Sequence, residues 1–141
     1  MHRSPVIRGL LRRWMRVRPV FVGLAVLLIF ACGEEGGGKP ISAEELLDRL
    51  NAGNVSLVLD VRSAGEFETI HIAGARNIPL YLLEERLAEL PGPDEEVVLV
   101  DQKGGRSRAA RRILLDAGFT NVRILEGHMF QWVLSRHPVG K

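Results

Sequence analysis

The chain has 141 residues, 46% of them apolar and 26% charged, which suits one domain around one hydrophobic core. Its formal charge of +2 is unevenly spread. Residues 1–31 hold six arginines and no acid, while residues 32–141 hold thirteen Lys and Arg against seventeen Asp and Glu, about −4. An acidic globular part argues against nucleic-acid binding. The single cysteine, Cys32, excludes an intramolecular disulfide, so the core must hold the domain.

The chain opens on an arginine-rich stretch, residues 1–19, followed by the apolar run 20–31 from Val20 to Ala31 and then Cys32-Gly33. This order reads as an export signal. Twelve apolar residues would rise about 18 Å as a helix, short of a hydrocarbon core of roughly 30 Å. Ile29-Phe30-Ala31-Cys32 resembles the lipobox of bacterial lipoproteins, departing from it at Phe30. The resemblance implies cleavage before Cys32, lipidation of its thiol and anchoring in the cell envelope, outside the cytoplasm. An uncleaved signal anchor is the alternative. Arg12-Arg13 is similar to a twin-arginine signal, but its surroundings match poorly.

Residues 32–40 then form a glycine-rich tether that ends at Pro40. A domain is expected over 41–139. Ser42-Ala43-Glu44-Glu45 is a capping box that starts a helix with Leu46, Leu47 and Leu50 inward and Gly53 as its stop. Val55–Val61 reads as a strand covered on both faces. Ser63-Ala64-Gly65-Glu66 is a second capping box, and Arg76–Pro79 a short strand. Tyr81–Leu90 is predicted helical, with Leu83, Leu87 and Leu90 on one stripe. Val97–Val100 is the most apolar strand, Ser107–Ala117 a helix capped by Gly118, Asn121–Leu125 a strand, and Met129–Leu134 a last helix carrying Trp132. Strands alternating with helices imply a mostly parallel sheet of about five strands with helices on both faces.

The chemistry gathers after Val100. Asp101 opens the loop Gln102-Lys103-Gly104-Gly105-Arg106, which leads through Ser107 into a helix. A buried strand, a glycine loop and a helix N-terminus make an anion cradle, because the loop N–H groups converge and the helix dipole favours negative charge. Ligands of parallel sheets bind beyond the carboxyl ends of strands, where Asp101 falls.

Two segments resemble the rhodanese homology domain. Asp60-Val61-Arg62-Ser63-Ala64-Gly65-Glu66-Phe67, with His71-Ile72-Ala73-Gly74-Ala75-Arg76-Asn77-Ile78-Pro79-Leu80, is similar to the family's DVR, EF and HI-x-GA-x-NIPL signature. Asp101 to Ser107, Ala117-Gly118-Phe119 and Leu125-Glu126-Gly127 resemble its active-site loop, helix end and LEGG-like turn. The likeness covers roughly residues 40–139. It implies sulfane-sulfur transfer through a cysteine persulfide, with the loop N–H groups holding the anionic sulfur. Four residues between Asp101 and Arg106 match the sulfur-sized loop, whereas related phosphatases carry five.

Carried over position by position, the resemblance puts Asp101 in the nucleophile's place. Gln102, Lys103, Gly104, Gly105, Arg106 and Ser107 become the anion-binding loop, and Asp60 and Arg62 supporting residues at the neighbouring strand end. Asp101 cannot form a persulfide, and Cys32 lies before the tether, so no catalytic residue is expected. Ile70 departs from the family's glycine before His71 and bears on the local turn.

Asp101 is either part of a site still used for an anion or a partner, or an acceptor for the loop's donors and nothing more. Lys103, Arg106, Arg108, Arg111 and Arg112 make an electropositive rim or a solvated helix face. His71 reads as a hydrogen-bonded structural histidine, Trp132 and Phe119 as core, and Glu66 as a capping residue. His128 and His137 have no ligand spacing around them, so neither a metal nor a cofactor is expected. The expected function is a membrane-anchored binding or regulatory module with a small anion or an acidic protein as partner. The alternatives are a sulfurtransferase using a partner's thiol, a hydrolase with Asp101 as nucleophile, and a purely structural lipoprotein.

Overall fold

The computed structural model describes residues 37–141; the proposed signal segment and Cys32 lie outside the described residues. The element order is α1 (Ala43–Asn51), β1 (Leu57–Asp60), α2 (Ala64–Thr69), β2 (His71–Ile72), β3 (Arg76–Asn77), β4 (Val97–Val100), α3 (Gly105–Asp116), β5 (Val122–Ile124), α4 (His128–Leu134) and β6 (Val139–Gly140). Four strands form a parallel sheet in the order β3-β1-β4-β5, with Asp60 in register with Val100. β2 and β6 pair separately and antiparallel. Among the described residues no helix is long and apolar enough to cross a membrane.

The sheet has four strands where the sequence suggests about five. The place beside β5 is taken by a single residue: Ile41 bridges Leu125 in parallel, donating to Ile124 O and accepting from Glu126 N. No strand can grow there because Ser42 caps α1 in the next position, its hydroxyl accepting from Glu45 N at 3.1 Å.

Both faces of β1 and β4 are buried, and the period-two alternation divides their side chains between two core layers. Leu57, Leu59, Val97 and Leu99 join Val122 and meet Ala110 and Leu114 of α3 with Ile78 and Leu83. Val58, Val98 and Val100 face the other way, against Ala43 and Leu46 of α1 and Met129 and Trp132 of α4. The sheet is thus covered on both faces, as the sequence pattern requires. Trp132 is fully buried and its indole N–H donates to Pro138 O at 2.9 Å, holding the segment that leads into β6.

Two local expectations change. Tyr81–Leu90 is not an α-helix but two 3-10 segments, Leu80–Leu82 and Glu84–Glu89, with a kink at Arg86. Bonds from Leu83 N to Leu80 O, Arg86 N to Leu83 O and Leu90 N to Leu87 O tighten the winding, and Leu83 and its neighbouring leucines still reach the α3 layer. The capping box at Ser42 is half formed, because the Glu45 carboxylate turns to Arg123 at 2.7 Å instead of to the cap. The second box, Ser63 with Glu66, is complete.

Candidate functional site

The site lies at the carboxyl ends of β1 and β4, neighbours in the sheet and the point from which the chain turns to opposite edges. Asp60 and Arg62 leave β1 as a buried ion pair, Arg62 Nη2 to Asp60 Oδ2 at 2.7 Å, with side chains 2% and 0% exposed. Arg62 Nε and its backbone N–H also donate to this carboxylate at 2.9–3.0 Å. The rest of the guanidinium reaches Ile70 O at 2.6 Å and Gln102 Oε1 at 3.4 Å. Asn77 Nδ2 donates to Asp60 O and Arg62 O, fastening the same turn to β3. One buried pair therefore joins β1, the end of α2, β3 and the loop after β4. Every polar atom it uses has a partner, which a charge so far from water needs.

Asp101 follows β4 and is 2% exposed. Its carboxylate turns back into its own loop. Oδ1 accepts from Gln102 N at 2.6 Å and Arg106 Nε at 2.7 Å, and Oδ2 from Gly104 N at 3.0 Å and Arg106 N at 2.9 Å. Burial pushes this carboxyl up, but the Gln102 and Arg106 backbone N–H groups and the Arg106 guanidinium outweigh it and hold it below the usual carboxylate range. Gly104 makes the turn possible with φ +94°, and a Cβ there would run into the His128 ring. Ser107 Oγ closes the loop onto Gly104 O at 3.2 Å. Met129 N, at the start of α4, donates to Asp101 O at 2.9 Å.

Arg106 bridges two carboxylates. Its Nε serves Asp101, while Nη1 and Nη2 bind Glu66 of α2 at 2.6 and 2.9 Å. The Arg106 guanidinium lowers Glu66 to about 2 against the opposing pull of partial burial, and Ser63 adds to the lowering. The capping-box motif accounts for Glu66 in sequence terms alone. Only one of its oxygens is needed for the cap, and the fold directs the carboxylate onto the loop as well. His128 is the other residue the sequence did not bring to the site. It adopts a left-handed φ of 53°, lies against Gly104, and leaves its buried Nδ1 without a hydrogen-bond partner among the described residues. Burial lowers its pKa; the Asp101 charge opposes this and the Arg108 charge adds to it. No sequence spacing announces a contact between Gly104 and His128, which the packing of α4 creates.

The five cations that could form a rim or a solvated helix face have different surroundings. Arg106 is consumed by Asp101 and Glu66, Arg111 lies against Gly37, and Arg108 borders Gly104. The side chains of Lys103, Arg108 and Arg112 are exposed. His71 Nδ1 bonds Phe67 O at 2.8 Å, and its ring stacks on Phe67. Ile70 is extended at φ −165°, so this turn has no need of glycine. Trp132 and Phe119 are buried. Among the described residues no group of His, Cys, Asp or Glu could hold a metal ion.

Removing the carboxylate should expose the cradle. Asp101→Ala leaves three backbone donors and Arg106 without their acceptor, and it is expected to lower stability by about 1–3 kcal/mol in urea denaturation. Sulfate should then raise the melting temperature of the variant and not of the native protein. An equal sulfate response in both would show that Asp101 does not fill an anion site.

Acid should act through Glu66 and Asp101. Both carboxyls ionise at lower pH in the folded chain, so their contribution is present above about pH 4.5 and is lost as pH falls toward about 2. Glu66 is about one-third exposed, so solvent screening limits its share to about 1 kcal/mol. Glu66→Gln should cost that amount at pH 7 and flatten the stability profile between pH 4.5 and 2, read by denaturant titration at each pH.

Comparison with known proteins accords with this geometry. The Rhodanese-like domain family matches residues 42–135. The chain is 36% identical over 103 residues to the probable adenylyltransferase/sulfurtransferase MoeZ of Mycobacterium tuberculosis, covering 72% of this chain but 26% of that protein. It is 30% identical over 99 residues to a sulfurtransferase of Allochromatium vinosum, covering 70% of this chain and 92% of that one. A rhodanese-related protein of Thermoplasma volcanium superposes with a TM-score of 0.64 at 30% identity, over 73% of this chain and 98% of that one. The family match spans most of the described residues, and the chain belongs to the Rhodanese-like domain family, whose relatives include sulfurtransferases.

Proposed function

We propose that this protein is a membrane-anchored, extracytoplasmic rhodanese-like domain that lacks sulfurtransferase activity and serves as a binding or regulatory module. The observation that carries the reading is the Asp101 carboxylate, which takes up three loop N–H groups, those of Gln102, Gly104 and Arg106, at 2.6–3.0 Å where an anionic sulfur would need them. Asp101 stands at the position of the family's sulfur-carrying cysteine. A carboxylate stores no sulfane sulfur, and the sole cysteine, Cys32, precedes the tether.

The hydrolase alternative is weaker on the same geometry. An aspartyl nucleophile needs an open oxygen and an activating group beside the substrate. Both Asp101 oxygens already accept two hydrogen bonds, and its side chain is 3% exposed. The similarity in fold to a thiosulfate sulfurtransferase of Pseudomonas aeruginosa makes thiosulfate the appropriate test substrate, with cyanide as acceptor. The native protein is expected to transfer sulfur no faster than a no-enzyme control. Asp101→Cys is expected to gain activity, because the same N–H donors would face a thiolate at a helix N-terminus. Transfer by the native protein above the control would overturn the assignment.

The envelope location rests on residues 1–32. An arginine-rich start, twelve apolar residues and Cys32 suit a lipoprotein signal, and the glycine tether would hold the domain off the membrane. In a bacterial host, labelled palmitate is expected on the full chain and not on Cys32→Ser. If Cys32→Ser is uncut and fractionates with membranes as the native protein does, the anchor is an uncleaved signal segment and the lipoprotein assignment fails.

A further inference from the structure

α4 buries Met129 and Trp132 and turns Phe130, Val133 and Leu134 outward, with Phe130 61% and Leu134 65% exposed. These residues do not stand on a flat surface. With Ile70, Gln102 and Met129 they line a hollow of about 300 Å³ directly beside the Asp101 loop. Ile70 is held by Arg62 through its carbonyl and Gln102 by its bond to Asp101, so two walls belong to the site's own hydrogen-bond network. Apolar side chains gathered in a preformed hollow are costly to leave wet and mark interaction sites.

The loop and helix segments that supply most of the lining are basic. Residues 102–115 and 127–141, which supply five of the six lining residues, contain no acidic side chain. Lys103 adjoins Gln102, Arg108 lies beside Gly104 and His128 ahead of Met129, and Arg136 follows Leu134 with its backbone N bonded to Val133 O. None of these three cations forms a salt bridge among the described residues, whereas Arg106 in the same loop is fully paired. Glu68 is the only exposed acid within two residues of the lining.

We infer that this hollow is a docking groove for an acidic segment of a partner protein, one that seats apolar anchors on Phe130, Val133 and Leu134 and sets carboxylates against Lys103, Arg108 and Arg136. The inference rests on the reading of the domain as a binding module and supplies that module's partner chemistry. A second copy of this chain would set the same cations against one another across a symmetric contact. A lipid surface favours protruding apolar side chains, whereas a concave site accepts an inserted one.

The test uses the full chain and three synthetic peptides. One is an amphipathic helix with Phe and Leu anchors among Glu and Asp; the second replaces its acids with Lys; the third replaces its anchors with Ala. Fluorescence anisotropy should register binding of the acidic, anchored peptide alone, weakened about tenfold or more by Phe130→Ala or Leu134→Ala. Lys103→Glu and Arg136→Glu should weaken it further, as should raised salt. Amide chemical shifts should move at 102–103 and 128–136. Absence of binding, equal binding of the lysine peptide, or binding indifferent to Leu134→Ala would overturn the inference. So would binding to phosphatidylglycerol vesicles, or self-association, that the same variants abolish while the peptide stays silent. The thiosulfate assay on the same preparation separates the outcomes: failed peptide binding with background sulfur transfer removes the groove and leaves the Asp101 assignment standing.

Discussion

The Asp101 carboxylate holds the site together by accepting what its own loop would otherwise offer to a ligand. Loops of this kind carry converging N–H groups, and buried donors must find acceptors whether or not a ligand is present. Here Gln102, Gly104 and Arg106 donate inward to one side chain, and the Arg106 guanidinium adds a fourth bond before crossing to Glu66. The negative charge is intramolecular and permanent at neutral pH. These three N–H groups are therefore satisfied without a ligand, and α2 is tied to the loop by the same arginine.

Beneath that loop the Asp60–Arg62 pair performs a second fastening with different physics. A charge pair in the interior is unfavourable unless each donor and acceptor is used. Arg62 meets the condition by spending its remaining donors on Ile70 O and Gln102, so the pair aligns the end of α2 with the loop after β4. The two networks meet at Gln102, whose amide serves Asp101 and whose side chain receives Arg62. Loop position and α2 position are coupled, which makes the groove between Ile70 and α4 a preformed feature.

Much of the architecture was legible because apolar periodicity is a local property. The runs Val97–Val100 and Leu57–Leu59 could only be strands covered on both faces, and the leucines of α1 and α3 fall at helical spacing. The number of strands was less legible. Whether Ile41 extends an edge or merely bridges Leu125 depends on where Ser42 caps the following helix. Tyr81–Leu90 failed for a related reason. A leucine stripe with a spacing between three and four suits α and 3-10 winding alike, and the bond pattern settles which forms.

By itself the sequence determined the family, through motifs that follow one another in the family's order, and the layered α/β plan, through the switch between periods of two and 3.6. It also determined that a carboxylate, not a thiol, opens the loop. Tertiary structure decided what that carboxylate touches. The direction of Asp101 into its own loop, the second role of Glu66, the His128 ring over Gly104 and the hollow beside α4 rest on side-chain placements, most of them between residues far apart in the chain, such as Glu66 with Arg106 and Ile70 with Leu134. No local pattern encodes such pairings, because they arise from how the helices pack on the sheet, and packing is a property of the whole core.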